Sequence, residues 1–468
     1  MNVSLPRQTA RLCREASRTS RTSEHERAPL LPPLAGEGWD GGNEYARHLP
    51  PPRPSTASSG RKGGCGPSPV EEEGAWARAA LFLATLLVAV PTVFACPDTQ
   101  PRGTGDLGLV VERAIGSLQL VETSGDTALG SIDGLGDLSH ASMVYSRDGR
   151  YAYVFGRDGG LTKVDLLCRR IDKRVVQAGN SIGGAISQDG KLVAVANYKP
   201  GGVKVFAADT LELLADIPAE YAEGKRAKVV GLEDAANGRF AFSLFEAGEI
   251  WLADLADPRK PRITKFKDIG REPYDALVTP DGRYYIAGLF GEDGVVLLDL
   301  WHPERGTRRI LDGYGRNEQT LPVYKMPHLE GWAMAGRFAY IPAIGRHEVL
   351  VIDTETWSEA ARIPVAGQPV FVIARPDGRH VWVNFALPDN GTVQVIDTET
   401  RAIVRTMQPG KAVLHMEFTP RGEHVWLSAR DDDRVLVYDT ATFTHVAELP
   451  ADKPSGIFFT ARAFRIGF

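Results

Sequence analysis

The sequence lacks most of the motifs that identify catalytic or nucleic-acid-binding proteins. It has 4 cysteines in 468 residues and no Cys-x-x-Cys-His motif, which excludes covalent attachment of a c-type haem and a cysteine-based zinc site. It has no glycine-rich phosphate loop, His-Glu-x-x-His helix, nucleophile elbow, or flavin or nicotinamide motif, so nucleotide-dependent and hydrolytic classes lose their usual support. The net charge of −5 offers no case for nucleic-acid binding.

The first hundred residues differ in composition from the rest. Residues 1–69 are rich in Arg, Ser, Pro and Gly without periodicity, which predicts either disorder or an extension translated from a start codon placed too far upstream. Residues 70–96 contain the apolar run Ala79 to Val90, which is too short to span a bilayer, and end in "VFAC". This pattern is typical of a signal peptide with a lipobox-like end. It predicts export to the periplasm and a lipid anchor on Cys96, with cleavage beside Ala95 and a retained membrane helix as alternatives.

Cysteine usage agrees with export. Cys13 and Cys65 lie in the leader and Cys96 lies at the cleavage site. Cys168 is then the one cysteine of the folded body, which predicts no intrachain disulfide there.

Residues 97–468 contain a repeat. A D-G-R type turn followed by alternating aromatic and apolar residues recurs at the glycines Gly149, Gly190, Gly238, Gly282, Gly336, Gly378 and Gly422. A strand ending in aspartate follows each glycine by 16 to 19 residues, at Asp165, Asp209, Asp254, Asp299, Asp353, Asp397 and Asp439. The mean interval of about 46 residues and the period-two alternation are typical of four-stranded β-propeller blades.

The seven repeats leave strand-like segments at both ends of the body. Residues 107–123 supply two strands and residues 456–468 supply one or two, and together they form one more blade. We therefore predict an all-β, eight-bladed β-propeller closed by N- and C-terminal strands in one blade, which removes exposed sheet edges. Seven blades is the alternative if one end segment is only a strap. The interval between Asp299 and Asp353 contains an insertion, and long loops of this kind often contain functional residues.

Polar residues at strand starts are the candidates for a site at one mouth of the channel. The candidates are His140, Arg157, Tyr198, Lys228, Asp234, Arg271, Tyr274, Lys325, His328 and His415. Four of them also have a structural interpretation. His140 can cap a turn or bind iron as a neutral imidazole. We place Asp234 just before an inner strand, where it can form an Asx turn or act as a base. Arg157 and Arg271 can be solvated or can bind ligand carboxylates.

One stretch resembles a known family. "SHASMVYSRDGRYAYVFGRDGGLTKVDL" is similar to the opening of the haem d1 domain of cytochrome cd1 nitrite reductase, an eight-bladed propeller in which a histidine before the same turn is the proximal ligand of the d1 iron. His140 matches that histidine. The similarity of motif order covers most of residues 107–468. The reductase family has two distal histidines, one near the position of Asp234 and one near Pro273 or Tyr274, and here both are replaced, so the chain looks unsuited to nitrite reduction.

This combination resembles the NirF family of haem d1 biosynthesis proteins from denitrifying bacteria. The resemblance implies a periplasmic propeller that binds haem d1 or its dihydro precursor non-covalently and oxidises the precursor's propionate to acrylate. It implies His140 as axial iron ligand, Asp234 as the essential aspartate, and Arg157, Tyr198, Lys228, Arg271, Tyr274, Lys325 and His328 as tetrapyrrole-binding residues. Implied partners are cytochrome cd1 nitrite reductase and other d1 maturation proteins, with membrane contact only through a lipid on Cys96.

Two other function classes stay open. A non-catalytic carrier or insertion factor for haem d1 would use His140 and the arginines, with Asp234 mattering only modestly. A protein-interaction propeller would have no tetrapyrrole affinity.

Overall fold

The computed structural model describes Cys96 and residues 103–311, 331–343 and 346–466. The predicted leader, residues 1–69 and 70–95, and the candidates Lys325 and His328 lie outside the described residues. Among the described residues, no helix is long and apolar enough to cross a membrane.

Eight four-stranded antiparallel sheets form the propeller. Before the first complete blade come β1 (Leu107–Glu112), β2 (Ser117–Glu122) and β3 (Thr127–Ile132). Blade 1 contains β4 (Ser142–Tyr145), β5 (Tyr151–Phe155), β6 (Gly160–Asp165) and β7 (Arg170–Val176). Blade 2 contains β8 (Asn180–Ile186), β9 (Leu192–Lys199), β10 (Gly202–Ala207) and β11 (Leu213–Ile217), and is followed by a hairpin of β12 (Glu220–Ala222) and β13 (Lys225–Arg226).

Blades 3 to 5 have the same order. Blade 3 contains β14 (Val229–Ala235), β15 (Arg239–Leu244), β16 (Glu249–Asp254) and β17 (Arg262–Phe266). Blade 4 contains β18 (Pro273–Val278), β19 (Tyr284–Leu289), β20 (Val295–Asp299) and β21 (Thr307–Ile310), with a 3-10 turn at Pro303–Arg305. Blade 5 contains β22 (Ala333–Ala335), β23 (Phe338–Ala343), β24 (Glu348–Asp353) and β25 (Ser358–Pro364).

The last blades complete the circle. Blade 6 contains β26 (Pro369–Ala374), β27 (His380–Phe385), β28 (Val393–Asp397) and β29 (Ile403–Met407). Blade 7 contains β30 (Val413–Phe418), β31 (His424–Ala429), β32 (Arg434–Asp439) and β33 (His445–Pro450), with a 3-10 turn at Arg430–Asp432. Blade 8 takes its inner strand from β34 (Pro454–Phe459), which precedes a 3-10 turn at Thr460–Phe464, and its outer strands from β1, β2 and β3.

Blade 8 confirms the predicted closure. Strand β1 pairs antiparallel with β34, placing Gly108 opposite Phe459 and Leu109 opposite Phe458. The Tyr145 hydroxyl of blade 1 donates to the Phe458 carbonyl at 2.6 Å, which joins the first complete blade to the last. The N-terminal part supplies three strands rather than the predicted two, because Thr127–Ile132 continues the meander after a turn with Asp126 in a left-handed conformation.

The repeated phrases have a common structural role. In each of blades 1 to 7 the D-G-R turn joins the first and second strands, and its glycine has φ between +59° and +76°. In several blades the turn's arginine pairs with the aspartate that ends the third strand: Arg150 with Asp165, Arg283 with Asp299, Arg337 with Asp353 and Arg379 with Asp397, at 2.7 to 2.9 Å. We call the end of the channel where these turns lie the turn rim, and the opposite end, where the inner strands begin, the mouth.

The C-terminal turn packs against inner strands at the turn rim. The Arg462 guanidinium donates to both oxygens of Glu417, and the two side chains are 6% and 9% exposed. From the first D-G-R turn, Arg147 donates to the carbonyls of Ala463 and Arg465 at 2.9 and 3.1 Å. These contacts fix the chain after β34 at this end of the channel.

The predicted absence of a disulfide in the folded body is wrong. Cys96 and Cys168 are disulfide-bonded, with Cα atoms 5.0 Å apart. Cys168 lies just after β6, where its N–H donates to Asp165. The prediction failed because it assigned Cys96 to the cleavage site alone.

Candidate functional site

The loops that contain His140 and Arg157 lie side by side at the mouth of blade 1. The Asp137 carboxylate accepts the Ser139 N–H at 2.8 Å, which shapes the turn that presents His140 just before β4. The Arg157 N–H donates to the Asp137 carbonyl at 2.9 Å. Both His140 and Arg157 are half-buried. The predicted pair is therefore brought to one part of the mouth by backbone contacts that the repeat does not specify.

Four aromatic side chains from blades 2, 3 and 4 form a second part of the mouth. They are Tyr198 at the end of β9, Phe245 after β15, Tyr274 in β18 and Phe290 after β19, and we call them the aromatic wall. The Tyr274 ring lies 6.0 Å from Phe245 and 5.5 Å from Phe290, centroid to centroid. Tilted and edge contacts at these distances hold the rings together. Tyr198 and Tyr274 were predicted site residues, and Phe245 and Phe290 were not.

A lysine lies over this wall. The Lys228 ammonium is 5.3 Å from the Phe245 ring and 5.8 Å from the Tyr198 ring, within cation–π range. Its Nζ also lies 3.5 Å from Glu246 Oε1, and its backbone N–H donates to Glu246 Oε2 at 2.7 Å. The sequence predicts that the Lys228 ammonium pairs with a ligand carboxylate, but in the structure Glu246 balances its charge.

Arg271 has a similar arrangement on blade 4. Its Nε lies 3.2 Å from Glu292 Oε2, and Arg309 binds the other Glu292 oxygen at 2.5 Å. Burial acts to raise the pKa of Glu292, but the hydrogen bonds from the two arginines outweigh it and lower that pKa. Glu292 is thus a stable anion, and Arg271 is anchored to it at an exposed position, with 66% of its side chain accessible.

Tyr198 is held as a neutral phenol. Burial raises its pKa well above the ordinary value, and the neighbouring Tyr274 hydroxyl and Asp275 carboxylate raise it further. Asp275 is 1% exposed and accepts the Ala276 N–H at 2.9 Å. Because Tyr198 keeps its proton at neutral pH, it is a hydrogen-bond donor at the mouth.

Asp234 lies elsewhere, and its predicted place just before an inner strand is wrong. It is the sixth residue of β14 and pairs with Phe240, so it lies at the turn-rim end of that strand. The side chain is fully buried, with its Oδ2 3.9 Å from an Arg147 nitrogen. Burial lowers the pKa of Arg147 although Asp234 acts to raise it. The structure therefore groups Asp234 with the contacts of the C-terminal turn and not with His140.

His415 is also a core residue. It is completely buried in β30, its Nδ1 accepts the Ile457 N–H at 3.0 Å, and its ring packs between Phe371 and Phe458. The structure therefore places this candidate in the core and not at the mouth.

The repeat itself contains the signal that would have found the missed mouth residues. The position eight residues after each turn glycine lies where the second strand ends at the mouth. It is occupied by Arg157, Tyr198, Glu246 and Phe290 in blades 1 to 4. A comparison of non-repeated residues at this one position would therefore have added Glu246 and Phe290 to the site.

The chain matches one protein-family model and is similar to several known proteins. Residues 102–463 match the family model described as "Cytochrome D1 heme domain". The chain is 63% identical over 384 residues to Protein NirF of Stutzerimonas stutzeri and 60% identical over 388 residues to Protein NirF of Pseudomonas aeruginosa, covering 82% of this chain and 98% of the relative in both cases. Among solved structures it is similar to the dihydro-heme d1 dehydrogenase NirN in complex with DHE, with a TM-score of 0.67 and 26% identity over 78% of this chain and 77% of the other.

Proposed function

The chain belongs to the cytochrome D1 haem domain family and, within it, to the NirF proteins, and on this basis we propose that it acts in haem d1 biosynthesis by binding a d1-type tetrapyrrole at the mouth of the propeller. The observation that carries the proposal is the aromatic wall under Lys228, at the same end of the channel as the loops of His140 and Arg157. Flat rings and cations suit a flat macrocycle with acidic side chains.

Each mouth residue has a role in this proposal. His140 binds the iron of the tetrapyrrole as axial ligand, because a neutral imidazole is a common iron ligand. Arg157, Lys228 and Arg271 pair with the acidic side chains of the macrocycle, and Tyr198 and Tyr274 contact its face or edge. Lys228 and Arg271 must exchange Glu246 and Glu292 for the ligand, so binding is expected to weaken as ionic strength rises.

We further propose that the bound dihydro-haem d1 is oxidised to haem d1. Conversion of the propionate CH2–CH2 to the acrylate CH=CH releases two protons and two electrons, and the electrons go to two equivalents of an external acceptor of the cytochrome c class. Asp234 lies at the turn-rim end of β14, away from the mouth, so we assign one of the two protons to Glu246, and the other passes to solvent. When Lys228 turns to the substrate carboxylate, Glu246 loses its ion-pair partner and its carboxylate oxygens are left to accept a proton.

The carrier function is the second candidate. The position of Asp234 favours it, because the aspartate that the family resemblance marks as essential lies at the turn rim, in a structural pairing with Arg147. A carrier needs the mouth residues for binding but no proton acceptor.

The following experiment separates the two functions. The purified protein is mixed anaerobically with dihydro-haem d1 and its visible spectrum is followed before and after a c-type cytochrome is added. A spectral shift followed by conversion to haem d1 supports the enzyme, a shift without conversion supports the carrier, and the absence of a shift contradicts tetrapyrrole binding. Tyr274→Leu should weaken the shift, whereas Tyr284→Leu, a change at a tyrosine that packs on Trp357, should not.

We also propose a periplasmic location, with cytochrome cd1 nitrite reductase and other d1 maturation proteins as partners. The disulfide between Cys96 and Cys168 suits an oxidising compartment. A thioether lipid and a disulfide cannot share the Cys96 sulfur. The intact mass of the exported protein under non-reducing conditions therefore distinguishes a lipidated Cys96 from a disulfide-bonded one.

A further inference from the structure

His140 lies near the end of a long connection between two blades. Residues 133–141 join β3 of blade 8 to β4 of blade 1, and we call this segment the His140 loop. The connections that lead out of blades 1, 3, 5, 6 and 7 have only three to six residues. A loop of nine residues needs contacts of its own to keep one conformation, because each residue that is fixed loses conformational entropy.

Two buried leucines anchor the His140 loop in the hydrophobic core. Leu135 and Leu138 are each 1% exposed and pack in the same apolar cluster. The flanking residues Gly136 and Asp137 are exposed, so apolar packing does not hold them. The backbone that leads to His140 therefore depends on polar contacts.

An ion pair from blade 1 supplies these polar contacts. Arg174 in the outer strand β7 and Asp158 in the turn after β5 pair at 2.5 Å, between Nη2 and Oδ2. The Arg174 Nε donates to the Leu135 carbonyl at 3.1 Å, and Asp158 Oδ2 accepts the Asp137 N–H at 3.4 Å. The pair therefore binds the loop backbone at two points shortly before His140.

The same aspartate shapes the neighbouring turn. Asp158 Oδ1 accepts the Gly160 N–H at 2.9 Å, which closes the turn that contains Arg157. The Arg157 N–H in turn donates to the Asp137 carbonyl at 2.9 Å. One ion pair thus connects the two loops that bring His140 and Arg157 to the same part of the mouth.

Two glycines leave room for this ion pair. A Cβ atom at Gly136 would lie 2.3 Å from Asp158 Oδ2 and 2.4 Å from Arg174 Nη2. A Cβ atom at Gly160 would lie 2.6 Å from Arg174 Nη2 and 2.8 Å from Asp158 Oδ1. Because these distances are far below van der Waals contact, a side chain at either position would displace the pair.

From these contacts we infer that Asp158 and Arg174 are positioning residues, which hold the His140 loop so that the imidazole is presented to the iron of the bound tetrapyrrole. The inference rests on the proposed function, in which His140 is the axial ligand. A loop that occupies its binding conformation for only a fraction of the time weakens the apparent affinity by the inverse of that fraction. Asp158 and Arg174 act in this way without touching the tetrapyrrole.

The first measurement is amide hydrogen exchange of the tetrapyrrole-free protein. Arg174→Met removes the donors and the charge of this side chain. Exchange of the His140 loop should become at least about tenfold faster, because the loop loses the Arg174 donor and Asp158 is no longer held in place. Arg262→Met is the matched control, since Arg262 also lies in an outer strand and pairs with Asp254 at 2.5 Å, but at the turn rim. It should leave exchange of the loop unchanged.

The second measurement is a spectral titration with haem d1, together with electron paramagnetic resonance of the ferric complex. Arg174→Met should weaken binding about three- to tenfold and convert the single histidine-ligated iron signal of wild type into a mixture of signals. Arg174→Lys keeps a cation beside Asp158 and should recover part of both losses. Arg262→Met should match wild type. A merely structural role for Arg174 would lower the urea midpoint without changing the iron signal.

Gly160→Ala displaces the pair while both of its members stay in the chain, so it should reproduce the effects of Arg174→Met. Unchanged exchange in both variants would overturn the inference, as would faster exchange combined with wild-type affinity and a wild-type iron signal. Failure of the proposed function gives a different result. Wild-type haem d1 affinity and iron signal in His140→Ala would overturn the axial role of His140, and with it the inference, even where exchange shows that the pair holds the loop.

Discussion

The two ends of the propeller channel are built from different kinds of sequence. At the turn rim the same contacts recur from blade to blade, such as the pair between the arginine of the D-G-R turn and the aspartate that ends the third strand. At the mouth the residues that meet differ from blade to blade. His140, Lys228 and the aromatic wall occur once each, and their contacts join loops that are distant in sequence. In this protein the repeat builds the blades, and departure from the repeat marks the candidate site.

The largest expected effect is at the turn rim. Arg462→Ala leaves Glu417 buried without its partner and should lower the free energy of unfolding in urea by about 3 to 5 kcal/mol. Arg337→Ala is the control, because its pairs with Asp353 and Glu355 are exposed and should contribute less than about 1 kcal/mol each. A loss below 1 kcal/mol for Arg462→Ala would contradict the structural role of this pair.

Asp234→Asn separates the two ends most sharply. It removes a buried charge that faces Arg147, so we expect unfolding to become easier by about 1 to 3 kcal/mol. Affinity for the d1 tetrapyrrole, measured by spectral titration, should stay within about twofold, a change of less than 0.5 kcal/mol. Lost affinity with unchanged stability would place Asp234 in the binding site instead.

His140→Ala should give the opposite result. The affinity for the d1 tetrapyrrole should fall by about tenfold, equivalent to about 1.4 kcal/mol, because the axial ligand is gone. Stability should change by less than about 0.5 kcal/mol, as is usual for substitutions outside the packed core. His445→Ala, at an exposed position of β33, should change neither quantity.

The smallest effect concerns acid stability of the turn rim. Hydrogen bonds from the backbone N–H groups of Thr400 and Glu399 lower the pKa of Asp397. Hydrogen bonds from Thr442 lower the pKa of Asp439. The pKa of each carboxylate is lower in the folded state than in the unfolded state, where it is 3.8. Such a carboxylate stabilises the fold at pH values above 3.8, and this stabilisation is lost as the pH falls through the pKa of the folded state. The urea midpoint should therefore drop as the pH is lowered from 5 to 3. Asp397→Asn should reduce that slope, and an unchanged slope would contradict the assignment.

The repeat was sufficient to predict the blades and their closure. The alternation of residues and the spacing of the turn glycines are local properties, so blade number could be derived without contacts. The spacing to the turn glycine also predicts where Asp234 lies. His140 precedes its glycine by nine residues and Asp234 precedes Gly238 by four, which already places the two at opposite ends of their inner strands.

Pairings between loops could not be predicted in this way. Lys228 and Glu246 are 18 residues apart and meet only because β15 returns the chain to the mouth. Arg271 and Glu292 meet across β18 and β19 for the same reason. The sequence presented these cations as available for a ligand, and only the folded arrangement shows that each already has a carboxylate partner.

The position of the bound iron tests the central claim most directly. Crystals grown with haem d1 and measured at the iron absorption edge locate that atom without assumptions about the site. The account predicts an anomalous peak at the mouth, within coordination distance of a His140 ring nitrogen. A peak at the turn rim beside Asp234, or at the mouth but bound to another residue, would contradict it.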